Sequence, residues 1–213
     1  MECPYKECKS SLKPWNAATN FSNPVLSVKY AADTGMIRSH QLLLEFGAGN
    51  LRNTLYLMRT MRNIEYYVVE NVEVVRRFHD KYAEFKNQGG HLIEDRIDMD
   101  NFDIIICTFV LEIICPLSER LETLQLLARS LRYDGHLVAS FRGYPGVKGS
   151  KYKQCPAGEG FITPLSTFIK PFSIKEAEQL LEEAGFTNFV TLQKYRVDKP
   201  QNIHVTVGLG KQQ

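Results

Sequence analysis

The chain has 213 residues, 44% hydrophobic and 23% charged, which suits one globular domain with a core large enough to need no covalent staples. Its net charge of +2 gives no sign of the strongly basic face that a dedicated duplex-binding module carries. The odd, irregular set Cys3, Cys8, Cys107, Cys115 and Cys155 does not form a disulfide framework or paired zinc spacings. No apolar run reaches membrane length, and the opening Met-Glu-Cys-Pro-Tyr-Lys lacks an apolar signal core; the expectation is a cytoplasmic protein without a metal site.

Residues 1–23 are polar and proline-punctuated and read as an irregular arm. Residues 24–37 are predicted as a short helix with Asn23 as cap, Pro24 in the first turn and Gly35 at the end. From Gln41 strands and helices alternate. Leu42-Leu43-Leu44 is a buried strand feeding a turn at Gly47 and Gly49, and residues 50–62 read as a helix. Residues 64–69 form the second strand. A helix over 72–87 follows, with Val72, Val75, Phe78, Tyr82 and Phe85 on one face and Gly89-Gly90 as its stop. His91-Leu92-Ile93 is a third strand. Residues 102–110 are nearly all apolar, as in a strand covered on both faces.

A helix is predicted over 117–132, then a turn at Asp134-Gly135 into a fifth strand over 136–141. Residues 142–171 read as a long loop. Ser173-Ile174-Lys175-Glu176 is a capping-box pattern opening a helix that ends at Gly185. Two final strands, 188–196 and 203–209, are joined by Asp198-Lys199-Pro200-Gln201-Asn202 and form an antiparallel addition. Strands alternating with helices imply a mostly parallel sheet with right-handed crossovers.

Leu44-Glu45-Phe46-Gly47-Ala48-Gly49-Asn50 is the central chemical pattern. Glycines after a first strand let the backbone turn sharply and approach a ligand closely, at the sheet edge where open α/β folds bind ligands. Glu45 places a carboxylate just before them, where an amino or sulfonium cation could be held. Glu70 ends the second strand about twenty residues on, where an acid can accept hydrogen bonds from ribose hydroxyls.

Glu45-Phe46-Gly47-Ala48-Gly49 resembles the first S-adenosylmethionine (SAM)-binding motif of class I methyltransferases, an acid followed by x-Gly-x-Gly. The resemblance extends over residues 41–209. It takes in Phe102-Asp103-Ile104-Ile105-Ile106 with Phe109 to Ile114, then Arg132-Tyr133-Asp134-Gly135-His136-Leu137, the Leu-Leu-Glu-Glu-Ala-Gly-Phe stretch ending at Phe186, and the final strand pair. It implies a Rossmann-like α/β fold: a mostly parallel seven-stranded sheet, an antiparallel C-terminal hairpin and helices on both faces. It also implies SAM as cofactor, with residues 1–40 an arm and short helix covering a SAM-binding domain over 41–213.

The cofactor residues implied are Glu45, Gly47, Ala48, Gly49, Glu70 and Asn71, with Asp95 or Asp98 at the adenine amino group and Phe109 packed beside the adenine or methyl. Glu112, the acid at the same lip, is the candidate substrate contact or base. Many relatives carry a third glycine near position 51, where this chain has Leu51. A narrower resemblance rests on Asn23-Pro24-Val25, Val110 to Ile114, Gly160-Phe161-Ile162-Thr163 and Thr167 to Ser173. It points to methyltransferases found beside DNA phosphorothioation systems.

The balanced charge favours a small-molecule acceptor, with nucleic acid the alternative. Two further alternatives are a non-catalytic binding protein on the same fold and an NAD-dependent oxidoreductase; the latter's fingerprint requires glycine where Arg52 stands. Residues 1–23 and 142–171 are expected to close over the site, with Tyr5, Trp15, Tyr144 and Phe161 as apolar wall and Lys148, Lys151 and Lys153 left wet or facing an acidic substrate.

Overall fold

The computed structural model describes residues 13–19, 21–94, 97, 100–144, 152–155, 159–192 and 202–209. The elements are α1 (Leu26–Asp33), β1 (Leu42–Phe46), α2 (Arg52–Thr60), β2 (Glu65–Val69), α3 (Val72–Arg77), α4 (His79–Asn87), β3 (His91–Ile93), β4 (Phe102–Thr108), α5 (Leu117–Ser130), β5 (Leu131–Arg142), β6 (Lys153–Gln154), β7 (Phe161–Ile162), β8 (Phe168–Ile169), α6 (Ile174–Glu183), β9 (Phe186–Thr191) and β10 (Asn202–Leu209). The main sheet has seven strands in the order β3-β2-β1-β4-β5-β10-β9. β3, β2, β1, β4 and β5 run parallel, and β10 is antiparallel to both β5 and β9. The alternating pattern predicts the mostly parallel sheet and its antiparallel addition, and the whole is the Rossmann-like class I methyltransferase architecture that the resemblance implies.

The period-two geometry of a strand sends neighbouring residues to opposite faces. Leu43, Ile104 and Ile106 accordingly pack in one apolar core with α1, α2 and α4. Leu44 and Ile105 pack in the other with α5 and α6. All seven residues of β4 are buried, as a central strand covered on both faces requires.

Several element boundaries differ from those expected. Asn23 does not cap α1: Val25 holds the N-cap position, and its backbone N–H is satisfied instead by Asn53 Oδ1 at 2.8 Å. The helix expected over 72–87 divides at Phe78, whose φ of −113° and ψ of 31° leave the helical region. β4 stops at Thr108 rather than Val110, because Phe109 turns into the left-handed region at φ +60°. Asp134-Gly135 is not a turn, since β5 runs continuously from Leu131. The pairing with β4 shifts between Phe102 and Ile104, and the surplus residues are tied down by Arg132, which bridges Asp103 and Asp134. A Cβ on Gly135 would lie 2.9 Å from the Phe102 carbonyl oxygen, so glycine here serves close strand contact.

The expected loop over 142–171 contains a small three-stranded sheet, β6-β7-β8. β9 begins at Phe186, earlier than expected; residues 193–201, with most of the expected turn, lie outside the described residues. Ser173 and Glu176 form the expected capping box, the serine hydroxyl accepting from Glu176 N at 3.2 Å while the glutamate accepts from Ser173 N at 2.7 Å. Ser173→Ala is expected to cost about 1 kcal/mol in denaturant unfolding; a midpoint equal to the wild type would mean that the cap adds nothing.

Candidate active site

The parallel strands end together along one edge, and β1 gives way there to the glycine turn. Gly47 takes φ +69° and its N–H donates to Val69 O at 2.9 Å, tying the turn to β2. Gly49 takes φ +57° and donates its N–H to Glu70 Oε2 at 2.5 Å, while its carbonyl accepts from the Tyr82 hydroxyl at 2.9 Å. The other Glu70 oxygen accepts from Asn71 N at 2.7 Å. Burial raises the Glu70 pKa, and these two backbone donors oppose the rise. Ala48 is buried. Asn71 caps α3, its side chain accepting from Glu73 N at 2.9 Å. The structure therefore brings Gly47, Ala48, Gly49, Glu70 and Asn71 together at the ends of β1 and β2.

Glu45 lies beneath this turn. It is only 1% exposed and accepts from Asn53 Nδ2 at 2.7 Å, Thr54 N at 3.1 Å and Thr54 Oγ1 at 2.5 Å. Burial pushes its carboxyl up to about 7 against the pull of these bonds. Its hydrogen-bond partners in the structure lie in the first turn of α2. Asn53 also reaches Thr108 Oγ1 at 3.1 Å, so one side chain joins α1, β1, α2 and the end of β4.

Leu51, at the position of the missing third glycine, adopts φ +62° as the N-cap of α2 and is fully buried. A leucine in the left-handed region costs about 1–2 kcal/mol. Burying its side chain returns about 1.5–3 kcal/mol, so the backbone path typical of glycine survives without one.

Beyond the turn, Phe109 is half-buried at the end of β4. The Arg52 guanidinium carbon lies 5.7 Å from its ring centroid, and that of Arg142 lies 5.9 Å away. His204 meets the same ring edge-on at 6.2 Å and bonds through Nδ1 to Ser140 Oγ at 2.8 Å. Burial, with Arg52 nearby, lowers the His204 pKa to about 4, so this imidazole is neutral at neutral pH. Glu112, in the short 3₁₀ turn after β4, is 1% exposed; its Oε1 lies 4.0 Å from Arg142 Nε and its Oε2 has no hydrogen-bond partner. Burial pushes Glu112 up to about 7, against the opposing charge of Arg142. At 1% exposure it is enclosed by the protein rather than open to solvent. Asp95 and Asp98 lie outside the described residues.

The arm crosses this edge. Phe21 O accepts from Asn50 Nδ2 at 2.7 Å, and the Arg52 guanidinium lies 5.8 Å from the Phe21 ring. Further back, Arg77 on α3 donates to Trp15 O at 3.2 Å and to Asn16 Oδ1 at 3.0 Å. Lys13 N donates to Ser166 O at 2.7 Å, so arm and β7–β8 turn are in contact. Trp15 and Phe161 are half-buried, while Tyr144 and Lys153 are exposed. Tyr5, Lys148, Lys151, Cys3 and Cys8 lie outside the described residues, among which no group of His, Cys, Asp or Glu is arranged to hold a metal ion. Nor is any described helix long and apolar enough to cross a membrane.

Arg142, Asn53, Tyr82 and His204 belong to no sequence motif, and Arg52 stands out in the sequence only as the residue that breaks a dinucleotide fingerprint. Spacing carries no signal for these residues, because they converge from separate strand ends.

No protein-family model matches the chain, and no curated protein matches it in sequence. Solved structures match its fold. The CcbJ methyltransferase from Streptomyces caelestis aligns with TM-score 0.66 at 13% identity, over 94% of this chain and 97% of that one. The 1,6-didemethyltoxoflavin-N1-methyltransferase of Burkholderia thailandensis, whose structure holds 1,6-didemethyltoxoflavin and S-adenosylhomocysteine, aligns with TM-score 0.62 at 15% identity, over 96% and 83%. A Nostoc punctiforme PCC 73102 protein aligns with TM-score 0.62 at 14% identity over 85% of this chain, which spans about half, 55%, of that protein's length. The chain has the class I SAM-dependent methyltransferase fold. Identities this low carry the fold and nothing finer.

Proposed function

We propose that the chain is a SAM-dependent methyltransferase acting on a small molecule. One observation carries the reading. At the carboxyl edge of the sheet Gly49, with open space where a Cβ would stand, is joined by its N–H to the carboxylate of Glu70. That pairing leaves room for close backbone approach and places acceptor oxygens for ribose hydroxyls beside it, so the residues present fit SAM. When bound, SAM supplies a methyl group activated by its sulfonium.

The chain's own residues then bind and orient. Glu70 and the turn at Gly47, Ala48 and Gly49 hold the nucleoside end, with Asn71 at the flank. Asp95 or Asp98 remains the candidate for the adenine amino group, and Phe109 packs beside the reacting end. Glu45 acts from below by holding Thr54 and Asn53, which fixes where the turn sits. The arm and the segment carrying β6, β7 and β8 cover the edge and exclude water. Positioning of this kind supplies much of the acceleration of a displacement that needs little covalent help. Glu112, with its pKa near neutrality, is the candidate group to receive a proton. The balanced charge and the small-molecule acceptor bound in the Burkholderia structure favour a small acceptor here. The narrower resemblance to phosphorothioation-associated proteins draws no support from the structural matches.

Calorimetric titration with S-adenosylhomocysteine and with NADH tests the reading: the first is expected to bind and the second not. Glu70→Ala is expected to weaken S-adenosylhomocysteine binding by about 1.5–3 kcal/mol, the range for hydrogen bonds to a charged group. Unchanged affinity in a folded variant removes Glu70 from the site, and a preference for NADH overturns the methyltransferase reading.

A further inference from the structure

The sheet order β2-β1-β4-β5 puts Glu70 on one side of the glycine turn and a different chemistry on the other. Arg52 opens α2, Arg142 closes β5 and Phe109 follows β4, so these residues converge at the same edge from three directions. Two guanidinium groups share one aromatic ring, at 5.7 and 5.9 Å from its centroid. Both are half-buried, and their like charges lie near enough for Arg142 to depress the pKa of Arg52 after burial has done so.

Neither guanidinium donates a hydrogen bond to another described residue. Among the described residues Arg52 has no hydrogen-bond acceptor, and its facing carboxylate, Glu45, is occupied by Asn53 and Thr54. Arg142 Nε is buried without a hydrogen bond; the nearest carboxylate oxygen, on Glu112, is 4.0 Å away and too distant to accept. His204 beside them is held neutral and adds no third positive charge. Two like-charged, planar donors held on one ring, one of them with a buried Nε–H that nothing accepts, leave hydrogen-bonding capacity for a ligand. The natural complement of a guanidinium fork is a planar oxyanion, accepted by paired N–H groups.

Resting on the methyltransferase reading, we propose that Arg52 and Arg142 form the acceptor site, and that the acceptor is a small molecule bearing a carboxylate or similar oxyanion next to an apolar body packed on Phe109. The site selects against amines and other cationic acceptors through the two guanidinium charges.

Ligand-observed NMR on the full chain, with and without saturating S-adenosylhomocysteine, tests this with benzoate, phenylacetate and phenyl phosphate against the uncharged benzamide, phenylacetamide and benzyl alcohol. At least one oxyanion is expected to bind tenfold or more tightly than its neutral counterpart. Arg52→Gln and Arg142→Gln are each expected to abolish that preference, while Arg142→Lys, which keeps the charge, retains part of it. If no oxyanion is preferred, the proposal is overturned. It is also overturned if the Gln variants weaken S-adenosylhomocysteine but not 5′-methylthioadenosine, which lacks a carboxylate, because the arginines then serve the cofactor's own carboxylate. Failure of the wild type to bind S-adenosylhomocysteine at all sinks the methyltransferase reading instead, and an oxyanion preference measured without cofactor survives it.

Discussion

Glu45→Ala is expected to destabilise the protein by about 3–5 kcal/mol at pH 5, with the cost shrinking as pH rises. The carboxylate accepts from Asn53 Nδ2, Thr54 N and Thr54 Oγ1, and all three donors are buried. Removing it leaves them unanswered, each at about 1–3 kcal/mol, including a first-turn N–H of α2 that has no partner within its own helix. The pH dependence follows from the carboxyl being raised from 4.5 to about 7 by burial. Between those values the folded chain keeps a proton that the unfolded chain has released. The corresponding stability is complete below 4.5 and disappears as pH climbs through about 7. The shift sets an upper bound of about 3 kcal/mol on that loss. The alanine variant lacks this titration, while Glu112 and His204 titrate in both proteins and cancel in the difference. Denaturant unfolding of the pair at pH 5, 6.5 and 8 measures it, and a difference that does not change with pH would show that Glu45 is not held protonated by its burial.

The architecture was legible because it rests on periodicity, which acts locally. The fully buried β4, the glycine turn after β1, the Ser173–Glu176 cap and the closing strand pair are all present, with β4 and β9 shifted by about two residues at one end. The structure departs from the local pattern where tertiary packing outweighs local preference. Asp134-Gly135 has turn chemistry, but the edge of β4 and the Asp103–Arg132 pair draw it into β5. Asn23 is a good cap by type, yet Asn53, far along the chain, answers the helix start in its place. Leu51 breaks the glycine pattern in letters and keeps it in conformation, at φ +62°, since burial of its side chain offsets the strain. The candidate site residues Gly47, Gly49 and Glu70 were legible as a motif because they follow two adjacent strands. Arg52 and Arg142 were not, because ninety residues separate them in sequence and only the order β1-β4-β5 sets them around Phe109.

Gly47 and Gly49 share a left-handed backbone and are expected to fail in opposite ways when substituted. A Cβ on Gly47 would lie 2.4 Å from Val110 Cγ2, within the turn that follows β4. Gly47→Val therefore combines left-handed strain of about 1–2 kcal/mol with overpacking of about 1–3 kcal/mol. The expected loss of stability is about 2–5 kcal/mol, and displacement of Val110 also disturbs Phe109 beside it. A Cβ on Gly49 meets nothing within 4 Å, so Gly49→Ala bears the strain at φ +57° alone. It is expected to keep most of its stability, losing about 1–2 kcal/mol. Its methyl group occupies the space that a ligand at Glu70 needs, so S-adenosylhomocysteine binding is expected to fall at least tenfold while the fold persists. Thermal unfolding and calorimetry on both variants separate the two proposed roles, Gly47 as a support within the turn and Gly49 as its ligand-facing residue. If Gly49→Ala bound S-adenosylhomocysteine as tightly as the wild type, the open face of the turn would not be the cofactor side of the site, and the assignment of Glu70 beside it would fall with it.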